Sequence, residues 1–310
     1  MRLQKRSDYD AVLKEIAGRV GRLAPTGAVA DYIPALARVN PDQYAVCVQT
    51  LEGGTCTAGA ADTRFSIQSI SKVFATAMVI AKKDILLWSR VGVEPSGNAF
   101  NSLVQLEYEH GIPRNPLINA GAIVVSDELL ELYEDPKKTL LHFVRELAGD
   151  ESVDYDTEVA DSEYATASTN RALAYYLKSH GNLRNDVEAV LDLYCHQCAL
   201  ALSTKALARA LLFQANDGII PSSRRRILTE DQSKRLNSIM LTCGFYDQAG
   251  EFAYQVGLPG KSGVGGGIVA VVPDVLSIAV WSPRLNEHGN SVLGIESLQQ
   301  FTSLTGLAIF

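Results

Sequence analysis

No apolar run in the 310 residues approaches the roughly 18 needed to cross a bilayer. The basic start, Met1-Arg2-Leu3-Gln4-Lys5-Arg6-Ser7-Asp8, is not followed by an apolar stretch, so no secretory leader is expected and the chain reads as cytosolic. An excess of positive charge is missing too. Against 35 Asp and Glu stand 28 Lys and Arg, a net charge of −7, which argues against a nucleic-acid or anionic-membrane partner. The one dense basic run, Arg224-Arg225-Arg226, follows a Pro-Ser-Ser turn and reads as a solvated loop. Cysteines number five, an odd count, and free thiols are expected in a reducing compartment. Cys195 and Cys198 lack the second ligand pair or βαβ context that zinc or redox chemistry needs, and read as two small buried residues on one helical face. None of the histidines (His110, His142, His180, His196, His288) pairs at useful spacing with a serine or another histidine, so neither a Ser-His-Asp triad nor a zinc site is supported. Gly265-Gly266-Gly267 lacks the phosphate-binding pattern and precedes a strand. Internal repeats, low-complexity segments and linkers are absent.

What is present is an ordinary globular composition, 47% hydrophobic and 20% charged, able to bury a core without disulfides. Residues 7–22 predict an amphipathic helix, with Ser7 as cap and Tyr9, Val12, Leu13, Ile16 and Val20 as its apolar stripe. Tyr44–Thr50 and Thr55–Ala60 predict a hairpin turning at Gly53-Gly54. From about 69 to 242 the chain reads as mostly helical, including a helix near 229–241 with capping-box spacing at Thr229 and Gln232. Two adjacent antiparallel strands follow, Ile268–Val272 and Leu276–Trp281, then a helix at about 291–305. Strands from both chain ends would form one antiparallel sheet flanked by helices, with a mostly helical lobe beside it. That is an α+β layout, with a sheet part at about 1–65 and 245–310 and a helical block at about 66–244. A crevice is expected between the sheet edge and the helical block.

The chemistry concentrates at Phe65–Ala81. Residues 73–81 are apolar or small on every side, so a helix there has no wet face and should run through the core. Its start carries Ser66, Ser69, Ser71 and Lys72. Three residues apart on a helix, Ser69 and Lys72 can meet. Desolvation lowers a lysine pKa and makes it a base near neutrality. Such a base turns a serine hydroxyl into a nucleophile, and unpaired N–H groups at the helix start can stabilise an oxyanion. A partly exposed lysine beside a capping serine is the bland alternative. The pair is the only Ser-x-x-Lys in the chain. Lys261-Ser262-Gly263 is expected to open a strand near the other end. Together they resemble the penicillin-recognising serine hydrolases, which join Ser-x-x-Lys to a Lys-Thr-Gly strand.

Other residues could line the crevice. Asn119 most simply caps the apolar helix that follows it, though an amide there could equally bind a substrate carboxylate. Glu163 and Asn170, seven apart, can share one helical face, either solvated or turned toward a substrate ammonium. Tyr32 is most simply a packing residue. Tyr194 and Tyr246 fit core positions with satisfied hydroxyls. The backbone N–H of Val264 could be a second oxyanion donor.

Asp31-Tyr32-Ile33-Pro34, Phe65 to Lys72, Asn115-Pro116-Leu117-Ile118-Asn119-Ala120-Gly121-Ala122, Cys243-Gly244-Phe245-Tyr246-Asp247, Val256 to Gly267 and Trp281-Ser282-Pro283 are long motifs in a fixed order. In both content and order they resemble the serine-dependent glutaminase family, from about residue 20 to 300. The resemblance implies a single catalytic domain over 1–310 with a serine β-lactamase-like fold, hydrolysing L-glutamine to L-glutamate and ammonia. It implies Ser69 as nucleophile, Lys72 as its base, Tyr32 near the reacting serine and Tyr246 assisting proton transfer to the departing ammonia. It places Asn119, Glu163, Asn170, Tyr194, Tyr246 and Val264 at the substrate. It implies no metal or organic cofactor, and a homo-oligomer, tetramer or dimer. Two competing expectations stand beside it: a β-lactamase or D,D-peptidase, against which the missing leader counts, and a non-catalytic binding protein, against which the intact Ser69–Lys72 pair counts.

Overall fold

The computed structural model describes residues 8–97 and 101–310. In chain order it runs α1 (Tyr9–Val20), β1 (Ala45–Thr50), β2 (Thr55–Gly59), β3 (Phe65–Ser66), α2 (Ser71–Trp88), α3 (Leu103–Tyr108), α4 (Asn119–Leu132) and α5 (Pro136–Ala148). There follow β4 (Asp154–Tyr155), α6 (Thr157–Ala165), α7 (Ser168–Ser179), α8 (Val187–Cys198), β5 (Leu200–Leu202), α9 (Thr204–Ala215) and α10 (Glu230–Cys243). The chain closes with α11 (Ala249–Gln255), β6 (Gly260–Ser262), β7 (Gly267–Val272), β8 (Leu276–Trp281) and α12 (Val292–Thr305). Ser7 lies outside the described residues. The carboxylate of Asp8 caps α1 by accepting from the N–H of Ala11 at 3.2 Å.

The main sheet has the order β2-β1-β8-β7-β6, antiparallel throughout. β1, from near the start of the chain, sits between β2 and β8, with Ala45 opposite both Gly59 and Trp281. Side chains alternate across it. Val46, Val48, Ile268, Ala270, Ile278 and Val280 face a core shared with α1, α11 and α12. Ala45, Cys47, Val269, Val271, Ala279 and Trp281 face the helical block, where α9 lies across β1, β7 and β8. Both faces are therefore covered. Lys261-Ser262 does not open a longer strand but lies in β6 itself, a three-residue edge strand paired to β7.

A second, three-stranded sheet, β3-β5-β4, was not foreseen. Its strands are only two or three residues long, too short to carry a period-2 pattern. It pins the residues just before Ser69 against those just after α8, through Phe65 opposite Leu202. Stacking of Phe65 on Trp281, with centroids 4.9 Å apart, joins the two sheets.

α2 is the central helix, unbroken in its burial from Ser71 to Ile80 and packed against α4, α5, α8 and α10. Where the chain leaves it, Arg90 forms a buried ion network. Its guanidinium donates to Asp127 at 2.6 Å and to Glu128, both on α4, and to the side chain and backbone of Asn182. Asp127 also accepts from the N–H of Asn185 at 2.8 Å. Burial disfavours the Asp127 carboxylate, but hydrogen bonds from Asn185 and Arg90 outweigh it and hold its pKa below the usual value. Among the described residues no helix is long and apolar enough to cross a membrane.

Removing one member of a buried charge cluster leaves the others unpaired in low dielectric, which costs about 3–5 kcal/mol. Asp127→Ala should lower the unfolding free energy by about that much in urea denaturation. A loss below about 1 kcal/mol, the usual worth of a surface pair, would contradict this account of the network.

Candidate active site

From β3 the chain enters a single 3-10 turn, Gln68–Ile70, before α2 begins at Ser71. Gln68 has φ of 49°, a left-handed conformation that costs a non-glycine residue about 1–2 kcal/mol. Its amide is anchored to the Ser66 hydroxyl at 2.9 Å, and that hydroxyl donates to the carbonyl of Cys198 at 2.9 Å. The bend leaves Ser69 on the wall of a cavity of about 310 Å³, near the lower end of the range usual for small-molecule sites. Tyr32, Asn119, Glu163, Asn170, Tyr194 and Val264 line the same cavity.

Lys72, in the first turn of α2, is completely buried. Its Nζ donates to Oδ1 of Asn119 at 2.7 Å and sits 5.8 Å from the ring centroid of Tyr194. Burial pulls its pKa down to about 8, with Cys198 and Glu163 working weakly the other way. The amine can therefore lose its proton near neutral pH. Asn119 does not cap α4. It is the first helical residue, and its side chain bridges Lys72 to Oδ1 of Asn170 at 3.0 Å. The turn before α4 is held instead by Asn115, whose Oδ1 accepts from the N–H groups of Leu117 and Ile118 at 3.0 and 3.1 Å. A Cβ on Gly121 would fall 1.9 Å from the carbonyl oxygen of Asn115, so only glycine lets the helix start this close.

Glu163 and Asn170 do not share a helical face. Glu163 is on α6 and Asn170 on α7, and a break at Thr166-Ala167 separates the two helices. They reach one cavity because the chain bends between them. Burial raises the Glu163 pKa from 4.5 to about 7, although Cys198, Gln68 and the charge on Lys72 all favour its ionised form. Its Oε2 is buried with no hydrogen-bond partner among the described residues. A carboxylate oxygen in that state is suited to a cationic ligand. Tyr32 is 53% exposed, more than a packing residue, yet the environment of its hydroxyl raises its pKa through burial first and the nearby Tyr246 and Glu163 next. Tyr194 is both a core tyrosine and part of the cavity wall.

Tyr246 comes from the other side. It also has a left-handed backbone, with φ of 57°. Its hydroxyl approaches the carbonyl of Ser262 at 3.5 Å. Burial pushes its pKa up to about 12, against the opposing effect of the nearby Ser69 and Ser262. Under its ring, 4.4 Å from the centroid, lies Nζ of Lys261. This second fully buried lysine donates to the carbonyls of Gly244 and Ser262 at 3.0 and 2.6 Å. Burial, then the charge of Lys72, lowers its pKa well below the ordinary value. The loop after β6 passes against the start of the Ser69 turn. A Cβ on Gly263 would lie 2.5 Å from the carbonyl oxygen of Ile67 and 3.3 Å from the N of Ser69.

Ser69 and the buried carboxylate of Glu163 thus line one cavity, with the buried amine of Lys72 and the hydroxyl of Tyr246 close behind it. A family model described as Glutaminase matches residues 27–310. The chain belongs to the glutaminase family. Two curated proteins named Glutaminase, from Christiangramia forsetii and Aliarcobacter butzleri, are 51% and 50% identical to it, each over 98% of this chain and 100% of its own length. Among solved structures, the probable glutaminase ybaS superimposes with a TM-score of 0.93 at 36% identity, covering 99% of both chains. Mglu in its glutamate form superimposes at 0.92 and 34% identity, covering 99% of this chain and 70% of the other. The fold is the serine β-lactamase-like fold of glutaminase structures.

Some features of this glutaminase-family site were not visible beforehand. The left-handed backbones of Gln68 and Tyr246 fall on residues with no local preference for them, so only the folded chain shows them. Lys261 stands in a motif legible in the sequence, but its seat beneath Tyr246 depends on β6 meeting the segment after α10.

Because Glu163 ionises only near pH 7 in the fold and near 4.5 outside it, keeping its charge buried costs stability that grows through that window and is complete above it. Glu163→Gln should therefore stabilise the protein by up to about 3 kcal/mol at pH 8 and by little at pH 4.5. Chemical denaturation at the two pH values would read the difference, and equal effects at both would exclude a raised Glu163 pKa.

Proposed function

We propose that this protein hydrolyses L-glutamine to L-glutamate and ammonia through a seryl ester. The observation that carries the reading is the complete burial of Lys72, whose pKa falls to about 8, one helical turn from Ser69 on the cavity wall. In this reading neutral Lys72 takes the hydroxyl proton of Ser69 as its oxygen bonds to the side-chain amide carbon of glutamine. The carbonyl oxygen, now negative, lies between the N–H groups of Ser69 and Val264. The carbon–nitrogen bond breaks as a proton passes to nitrogen, with Tyr246 as the nearest relay and Tyr32 at the cavity wall, and ammonia leaves. Water, deprotonated by the same amine, then attacks the ester and releases glutamate with Ser69 re-protonated.

The buried Glu163 oxygen without a partner suits the substrate ammonium. Asn119, Asn170 and the tyrosine hydroxyls suit its carboxylate, and an analogue that left them unpaired would be rejected. The solved glutamate form of Mglu supports a ligand of this class. The reading extends to a single catalytic domain, made of a sheet part and the helical block from about 66 to 244. By analogy with the family it extends to a cytosolic homo-oligomer, dimer or tetramer, with no cofactor; light scattering showing only monomer at assay concentration would sink that last point.

Ser69→Ala should cut ammonia release from L-glutamine by about 10⁴-fold or more while the circular dichroism spectrum is unchanged. L-asparagine should be a poor substrate and a chromogenic cephalosporin should not turn over. Cephalosporin turnover without glutaminase activity would instead mark a penicillin-recognising hydrolase, and inertness to both would mark a binding protein. The pH profile is a separate check. Lys72 must be neutral and Glu163 ionised, so kcat/KM should fall as pH drops through about 8 and fall more steeply below about 7. A profile flat from pH 6 to 9 would contradict both roles.

A further inference from the structure

Tyr246 holds a backbone conformation that it would not choose. A left-handed φ of 57° on an aromatic residue is strained and persists only where its surroundings over-determine it. The surroundings converge on one side chain, Asn290, which is completely buried. Its Oδ1 accepts from the hydroxyl of Ser262 in β6. Its Nδ2 donates to the carbonyl of Phe245 at 3.4 Å and to Oε1 of Gln248 at 2.9 Å. Phe245 and Gln248 bracket Tyr246 in sequence. Ser262 supplies the carbonyl that faces the Tyr246 hydroxyl on one side and accepts from Lys261 on the other. One amide thus ties both flanks of the strained residue to the strand that its hydroxyl faces. Asn290 is itself fixed, because its N–H donates to Oδ1 of Asn286 at 3.0 Å and its carbonyl accepts from the N–H of Asn286 at 2.8 Å. It does not line the substrate cavity.

We infer that Asn290 is a positioning residue that sets the Tyr246 hydroxyl against Ser69. The inference rests on the proton-relay role proposed for Tyr246. A side chain with no contact to substrate should then influence kcat and leave KM alone. Proton transfer falls off steeply when a relay is displaced, so loosening the 245–248 segment by a fraction of an ångström is enough to slow turnover. The amide is needed for its two opposite polarities: the acceptor engages Ser262, and the donors engage Phe245 and Gln248.

The test is a cycle of Asn290→Ala, Tyr246→Phe and the double variant, assayed for ammonia release from L-glutamine, with thermal unfolding recorded for each. Asn290→Ala should lower kcat by about 10- to 100-fold and change KM less than about twofold. In the Tyr246→Phe background, where the relay hydroxyl is gone, the same substitution should lower kcat by less than about twofold. A merely structural role would lower kcat by the same factor in both backgrounds, and that result overturns the inference. A rise in KM at constant kcat overturns it as well. Tyr246→Phe with unchanged kcat would sink the relay role and this inference with it, whereas a slow Tyr246→Phe with fully multiplicative effects sinks this inference alone. If Asn290→Ala does not fold, Asn290→Asp keeps the size and the acceptor for Ser262 but loses the donors. The cycle is then run with it, and wild-type kcat in that variant overturns the inference.

Discussion

The hydrogen bond from the Lys72 amine to Asn119 is the contact on which the rest of the site depends. An ammonium sealed in a protein interior is expensive unless it is paired or can shed its proton, and Lys72 is given an amide partner without a full negative charge. That choice keeps the amine basic enough to accept a proton and unprotected enough to lose one near neutrality. It imposes conditions on distant parts of the chain. α2 must be apolar as far as Ile80 so that water stays away. α4 must begin at Asn119 itself, which requires the Asn115 turn and a glycine at 121. α4 must not slide, and the ion network at Asp127 and Glu128 fastens it to the chain leaving α2.

Strain is placed on both sides of the Ser69 hydroxyl. Gln68 precedes Ser69 directly, the Tyr246 hydroxyl lies near enough to Ser69 for that serine to lower its pKa, and Gln68 and Tyr246 both have left-handed backbones. Each is held by side chains whose polar atoms are nearly all engaged: Gln68 through Ser66 to Cys198, Tyr246 through Ser262, Phe245 and Gln248 to Asn290. A residue kept out of its preferred backbone region presents its neighbour, or its own hydroxyl, in a direction that no regular helix would offer. The apolar core on either side of the sheet supplies the stability against which such local conformations are maintained.

Local composition made the long elements legible. The short apolar, β-rich runs of β1, β7 and β8, the apolar run of α2 and the capping box at Thr229 and Gln232 each state their own structure locally. The motifs around Ser69, Asn119, Tyr246 and Lys261 likewise pointed to residues that the fold collects around one cavity or directly behind it. What failed to show was whatever depends on two remote segments meeting. Asn119 looks like a cap because asparagine before an apolar helix usually is one, and only the arrival of Lys72 from α2 gives it another partner. Glu163 and Asn170 have helical spacing, but Thr166-Ala167 carries no proline or glycine to announce the break between α6 and α7. The three short strands around β5 exist because tertiary contacts assemble them.

The placement of β1 has a consequence for how the molecule comes into being. Its two neighbours are β2, which follows at once, and β8, which begins more than two hundred residues later. At a ribosome adding about 5–20 residues per second, the nascent chain carries a bare, apolar strand edge for roughly 10–50 s before its second neighbour emerges. During that interval the hairpin is open to pairing with another chain, which chaperone cover of that edge would prevent.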